Sequence, residues 1–288
     1  MNTPVTSLFL RGRNFYIKRD DLISDYYPGN KYRKLYSLIE EDSLKYKNII
    51  SYGGSQSNAM LAIAHLAHKK GWDFTYYLKM LPKWLKDNPV GNFKMALSLN
   101  MSYIELSRDE YEEDISSLQS DEHTIVIPQG GADKIAISGI EKLAFEILEW
   151  KLEKKISYLY VVTPSGTGTT SLYLSKALKN EAIVLTTPLV ADEEYLKEQW
   201  RKLDSNRDFL PEILNTEKKY NFAKPYSEFL AVWKELNNTG IEFDLIYAPK
   251  MWLSLFKNLP LDGEILYIHS GGLSGNETQM QRYIKSKV

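Results

Sequence analysis

"VVTPSGTGTTSLYLSKAL", residues 161–178, passes from a β-rich run through Ser165-Gly166-Thr167-Gly168-Thr169-Thr170 straight into an amphipathic helix. Glycines let the backbone curl, and hydroxyls with helix-terminal N–H groups make a cradle for phosphate. The loop lacks the lysine of a nucleotide P-loop and the glycine spacing of the dinucleotide fingerprint. A small phosphate-bearing ligand therefore fits it better than ATP or NAD. The plain alternative is a glycine-rich turn with capping threonines.

Working outward, the same strand-to-helix step recurs. "FYIKR" (15–19), "NIISYG" (48–53), "DFTYYLK" (73–79), "MSYIEL" (101–106), "TIVIP" (124–128) and "YLYVVTP" (158–164) read as strands. Helical spacing falls near 31–45, 57–70, 88–99, 109–119 and 136–154. Such alternation predicts parallel sheets covered by helices on both faces. After residue 185 the pattern loosens: residues 192–209 read as a charged amphipathic helix and 210–226 as an irregular surface connection. In these folds ligands bind beyond the carboxyl ends of strands. Three more glycine turns follow strands: "SYGGSQSN" (51–58), "IPQGGAD" (127–133) and "IHSGGLSG" (268–275). In the first, Ser57 is a helix N-cap and Asn58 sits in the first turn.

"GNKYRKLYSL", residues 29–38, carries three cations within four positions. On a helix starting near Asn30, Lys31 lines up with Leu35 and Leu38, the apolar stripe, and Arg33 with Ser37 and Glu40, a polar one. Lys31 therefore enters on the buried side, where an amine loses proton affinity and becomes available as a nucleophile. Alternatively, it snorkels outward from the first turn.

Composition bounds the rest. The chain has 288 residues, is 43% hydrophobic and carries a net charge of −1, with cations scattered rather than clustered. Neither a nucleic-acid nor a membrane surface is expected. With no cysteine, disulfides, thiolate metal sites and cysteine nucleophiles are excluded. His65 and His68 lack acidic neighbours at ligand spacing, so no metal site is expected. The N-terminus has no secretory signal pattern, and the default expectation is a cytoplasmic protein.

Taken in order, "KRDDL" (18–22), "GNKYRKL" (29–35), "GGSQSN" (53–58), "PQGGA" (128–132), "SGTGTT" (165–170), "DLIYAPK" (244–250) and "HSGG" (269–272) resemble the 1-aminocyclopropane-1-carboxylate deaminase and D-cysteine desulfhydrase family. The resemblance covers residues 1–180 and, more loosely, 240–276. It implies an α/β fold of the type II pyridoxal-phosphate enzymes, with two open, twisted, mostly parallel sheets and a cofactor cleft between domains. The implied division is a large cofactor-binding domain, 1–35 and 140–288, with 36–139 inserted as a small α/β domain. It further implies a homodimer acting on a small amino acid.

By motif position, Lys31 resembles the lysine that forms a Schiff base with pyridoxal 5′-phosphate, leaving Arg33 and Lys34 as supporting or solvent-facing charges. Asn58 matches the partner of the cofactor's ring hydroxyl, and Gly166, Thr167, Gly168, Thr169 and Thr170 match the phosphate loop. Ser57 matches the serine beside the substrate carboxylate, Tyr247 the tyrosine over the catalytic face, and Ser270 the partner of the pyridine nitrogen. A bulky residue at 168 would then block backbone approach to the phosphate.

Four positions depart from the family pattern. Ala248 and Ser270 stand where the cyclopropane deaminases carry Glu and Leu, and the desulfhydrase branch has small or hydroxyl residues there. Ala59 replaces a larger polar residue, and Pro28 a glycine. The implied activity is β-elimination from D-cysteine or a similar β-substituted amino acid. The alternatives are cyclopropane-carboxylate deamination or a catalytically weak cofactor-binding homologue.

Overall fold

A computed structural model describes residues 2–42, 45–216, 218–259 and 262–287. The chain opens with a hairpin, β1 (Val5–Leu10) and β2 (Arg13–Lys18), antiparallel in register. Arg11 and Gly12 turn it, both at positive φ, as a two-residue hairpin loop demands. Strand β1, an edge strand paired on one side only, went unread in the sequence.

Helix α1 (Gly29–Glu40) comes next, its amino end pressed against the hairpin's exit. A Cβ on Gly29 would sit 2.3 Å from the Asp20 carbonyl oxygen, so only glycine lets α1 start there. The helix ends short of the expected residue 45, and residues 43 and 44 lie outside the described residues. Then β3 (Asn48–Tyr52), α2 (Asn58–Lys70), β4 (Asp73–Lys79), α3 (Lys83–Asp87), α4 (Gly91–Ser98), β5 (Ser102–Leu106), α5 (Arg108–Ser117) and β6 (Thr124–Ile127) build an all-parallel sheet in the order β5-β4-β3-β6. The helix expected over 88–99 forms as α4, and the short helix α3 before it, which stops ahead of Pro89, went unread in the sequence.

From α6 (Ile137–Glu153) the chain returns to the first sheet. It continues through β7 (Leu159–Val162), α7 (Thr169–Leu178), β8 (Ile183–Thr186), α8 (Glu193–Leu203), β9 (Glu212–Ile213), α9 (Ser227–Asn237), α10 (Ala248–Lys257), β10 (Glu264–Ile268) and α11 (Asn276–Ser286). The sheet order is β1-β2-β10-β7-β8-β9, parallel except for the opening hairpin. The charged stretch after 191 forms α8, as its spacing predicts. The connection at 210–226 is irregular among its described residues except for the two-residue edge strand β9; Glu217 lies outside them.

Each face of this larger sheet has its own core. Ile140, Leu143 and Ile147 of α6 with Leu172 and Leu174 of α7 cover one side. Trp252, Met251 and Leu255 of α10 with Phe15, Ile17 and Phe243 cover the other. A third core, around Ile49, Met60, Phe74 and Phe93, lies at the smaller sheet. Strands β7 and β10 are almost wholly buried, which is why they read as continuous apolar runs rather than alternating ones.

Candidate active site

The carboxyl ends of β3, β6, β7 and β10 face one another across a cavity of about 420 Å³. All four glycine turns line it, and so does the first turn of α1. Lys31, Ser57, Asn58, Gly166, Thr167, Gly168, Thr169, Thr170, Tyr247 and Ser270 all stand around this single space.

Helix α1 delivers Lys31. Its first turn closes on the Pro28 carbonyl, which accepts from Lys31 N–H at 2.8 Å and Tyr32 N–H at 2.9 Å. The Gly29 N–H donates to the Ser270 carbonyl at 2.6 Å, locking this turn to the one after β10. Burial lowers the proton affinity of the Lys31 amine to a pKa of about 8. Lys34 lies beside it, lowered well below its ordinary value by burial and then by the charge of Lys31.

Arg33 does not face water. Its side chain is 0% exposed. It donates to both Asp20 carboxylate oxygens at 2.9 Å and to Glu146 at 2.6 and 2.8 Å, while Lys18 Nζ donates to Glu146 at 2.6 Å. Two cations and two carboxylates thus neutralise one another beneath α1. The polar stripe shared with Ser37 and Glu40 packs partly against α6, whose Glu146 is the missing counterion. Lys34 is likewise buried rather than solvent-facing.

Opposite Lys31, the loop 165–170 is braced from beneath. Ser165 Oγ bonds to Ser171 Oγ at 2.8 Å and Thr186 Oγ1 at 2.7 Å, and Trp200 Nε1 of α8 donates to the Gly168 carbonyl at 3.1 Å. Gly168 has φ +74, and a Cβ there would lie 2.4 Å from Trp200 Nε1 and 2.5 Å from Leu196. Glycine at 168 is therefore required by α8 packed behind the loop, a reason the sequence reading did not give. The loop's N–H groups open α7, a helix start suited to an anion.

Ser57 caps α2, its Oγ accepting from Ala59 N–H at 3.1 Å and Met60 N–H at 3.3 Å. Its hydroxyl also lies within hydrogen-bond reach of the buried Tyr76 phenol. Tyr247 precedes α10, and burial, then the Asp244 charge, push its phenol up to about 12. Burial raises Asp244 to about 6, although its carboxylate accepts from the Ile246, Tyr247 and Ala248 N–H groups. Asp244 is the single carboxylate among the cavity-lining residues. The Ser270 hydroxyl has no hydrogen-bond partner among the described residues. Its turn is set by His269, whose Nε2 meets the Glu242 carbonyl at 2.7 Å and whose Nδ1 accepts from Gly271 N–H at 3.3 Å. Lys34, Gln56, Asn92, Gln129, Asp244 and Arg282 also line the cavity, and none of them was given a site role in the sequence. Lys34, Gln56, Gln129 and Asp244 lie inside the quoted motifs, whereas Asn92 and Arg282 have no local signal.

A nucleophilic amine, a neutral glycine-hydroxyl anion cradle and a free hydroxyl around one cavity fit an aldehyde, a phosphate and a ring nitrogen on a single molecule. The profile of the family described as "Pyridoxal-phosphate dependent enzyme" matches residues 1–211. A protein of Thermotoga maritima named "Putative 1-aminocyclopropane-1-carboxylate deaminase" is 26% identical, over 95% of this chain and 93% of that protein. A "D-cysteine desulfhydrase" of Serratia proteamaculans is 26% identical over 91% of this chain and 87% of its own length. The crystal structure of an "ACC deaminase homologue" superposes with a TM-score of 0.77 over 98% of this chain and 94% of that one; at 22% identity this shows a shared fold. With two mostly parallel sheets around the cleft and the family profile spanning most of it, the chain belongs to the pyridoxal-phosphate dependent enzymes.

Proposed function

We propose that this protein is a lyase acting on a small amino acid, eliminating the β-substituent of D-cysteine or a close analogue to give pyruvate and ammonia. The observation that carries this reading is the cavity wall around Tyr247: Ser270 contributes a hydroxyl to it, and the residue directly after the tyrosine, Ala248, is buried in the core and brings no carboxylate. The names of the Thermotoga and Serratia relatives support it.

Bound pyridoxal phosphate would supply an aldehyde for the substrate amine and a conjugated ring that draws electron density from Cα. Lys31 would anchor it, and its Nζ would be the base for the Cα proton; an amine near pKa 8 is matched to that task at neutral pH. The N–H groups and hydroxyls of 166–170 hold the phosphate. Ser57 and the first N–H groups of α2 hold the substrate carboxylate. Tyr247 stays protonated at neutral pH and can hand its proton to the leaving thiolate. Asn58 donates to the ring oxygen and Ser270 to the ring nitrogen. Overall, D-cysteine and water become pyruvate, ammonia and hydrogen sulfide.

The same reading makes the protein a cytoplasmic homodimer with residues 36–139 as a small domain inserted into the large one. All four strands of the second sheet, and none of the first, fall within 36–139, which supports that division. Among the described residues no helix is long and apolar enough to cross a membrane.

The test is product analysis on purified protein. Pyruvate and sulfide should appear in equal amounts from D-cysteine, with little from 1-aminocyclopropane-1-carboxylate. Ring opening in preference to elimination, or turnover of neither substrate by protein saturated with pyridoxal phosphate, sinks the proposal. A solution mass near the 33.3 kDa of one chain would remove the homodimer.

A further inference from the structure

The cavity holds a chain of carboxamides whose orientations are not free. Asn92, in the first turn of α4, is 2% exposed and uses every polar atom. Its Nδ2 donates to the Gln56 carbonyl at 3.1 Å and to Asn58 Oδ1 at 2.8 Å. Its Oδ1 accepts from Ser274 Oγ at 3.0 Å, and its own N–H donates to Gln56 Oε1 at 3.0 Å. Gln56 is fixed in turn, its Nε2 donating to the Val90 carbonyl at 3.1 Å.

A backbone carbonyl can only accept, so the Gln56 carbonyl compels Asn92 to present Nδ2 on that side. The same Nδ2 faces Asn58, which can answer only with Oδ1. The Asn58 Nδ2 is then left turned away, with no hydrogen-bond partner among the described residues. Gly272 stands beside it, where a Cβ would approach to 2.9 Å. Reversing Asn92 would set its Oδ1 against the Gln56 carbonyl, two acceptors in a buried site.

We infer that Asn92 is a positioning residue that holds the Asn58 carboxamide with its N–H groups toward the cofactor, so that the cleft selects a ring oxygen acting as acceptor. This rests on the proposed placement of pyridoxal phosphate against Asn58. The chain also crosses the cleft: Gln56, Asn58 and Asn92 come from the smaller sheet's side, while Ser274 follows the Ser270 turn of the larger one. Each end of the relay is therefore tied to a different sheet, and loading the cleft fixes both.

The experiment is a double-mutant cycle on enzyme stripped of cofactor and titrated with pyridoxal phosphate, read by the dissociation constant and by the pH midpoint of the bound cofactor's visible band. In Asn92→Asp the new carboxylate can only accept, so Asn58 turns Nδ2 toward it and shows Oδ1 to the ring oxygen. The dissociation constant should rise about tenfold, the loss expected for one hydrogen bond to a charged group, and the pH midpoint should move. Asn58→Ala should weaken binding comparably, and the double variant should be no worse than Asn58→Ala within about twofold. A purely structural role for Asn92 would lower the melting temperature without moving the pH midpoint. Additive losses, or an unchanged constant and midpoint in Asn92→Asp, overturn the inference while leaving the site reading intact. A wild-type constant in Asn58→Ala removes the site reading and the inference together. Should Asn92→Asp fail to fold, Asn92→Ala, which has no donor to offer Asn58, is scored by the same cycle.

Discussion

Lys31 and Lys34 converge on one acceptor: their Nζ atoms donate to the Gly130 carbonyl at 3.1 and 3.0 Å. Two amines one helical turn apart cannot both stay protonated in a buried site, and burial depresses both. The charge of Lys31 lowers Lys34 further. The pair thus gives the cleft a neutral amine close to physiological pH without any carboxylate to balance it.

Lys31→Ala should abolish the visible band of bound pyridoxal phosphate and leave the far-ultraviolet circular dichroism unchanged. Lys34→Met should keep the band. Because the Lys31 pKa is lowered to about 8, the reactive neutral form grows as pH rises through 8 and is already plentiful well below 10.5. At pH 8 that is about a hundredfold more neutral amine than an ordinary lysine offers. The rate at which cofactor adds to the stripped enzyme should level off above pH 8; a rate still climbing tenfold per pH unit to pH 10 would contradict the assignment.

The spacing of Leu35 and Leu38 was enough to put Lys31 on the enclosed side of α1. The same spacing misplaced Arg33, because its counterion Glu146 is 113 residues away on a helix whose contact with α1 is tertiary. Strand-helix alternation likewise revealed the parallel sheets and the glycine turns at their ends. Asn92 and Arg282 could not be found that way: each is one polar residue in an ordinary local pattern, brought to the cavity by how the two sheets face each other. Gly168 was legible as a necessary glycine, yet the cause, Trp200 of α8, lies in the stretch that resembles the family least.

Replacing Arg33 with Met leaves Asp20 and Glu146 facing Lys18 alone in a buried site. Removing one partner of such a group costs about 3–5 kcal/mol, and the urea midpoint should fall accordingly. Burial pushes the Glu146 carboxyl up, but hydrogen bonds from Arg33 and Lys18 outweigh it and hold it below its ordinary value. The sign follows: stability from Glu146 is present above the ordinary carboxylate range and lost as pH falls through the lowered folded-state value. Glu146→Gln should flatten that acid limb of the stability curve; an unaltered limb would show the titration to lie elsewhere.

Gly168→Val meets Trp200 and Leu196 and forces a branched side chain into positive φ. Melting temperature and cofactor affinity should therefore fall together. Trp200→Phe removes only the indole donor to the Gly168 carbonyl and should weaken cofactor binding by a few-fold with a small loss of stability. If Trp200→Phe binds pyridoxal phosphate as the parent does, the brace does not reach the phosphate.

Ser270 sets the final expectation. Its carbonyl is held by Gly29 and its turn by His269, so the free hydroxyl points from a rigid mount. The cavity's single carboxylate, Asp244, is already engaged by three backbone N–H groups at the amino end of α10. A ring nitrogen at Ser270 therefore meets a neutral hydroxyl and is not kept protonated, which limits how much negative charge the ring gathers from Cα. A good β leaving group then departs before the Cα charge is captured in other ways, so elimination from D-cysteine should dominate over racemisation. Ser270→Glu places a carboxylate there and should favour a protonated nitrogen. Pyruvate formation should fall while exchange of the Cα proton for solvent deuterium rises several-fold relative to it. Ser270→Ala should shift the bound cofactor's spectrum and slow turnover; an alanine variant with parental spectrum and rate would show that Ser270 does no more than shape the turn after β10.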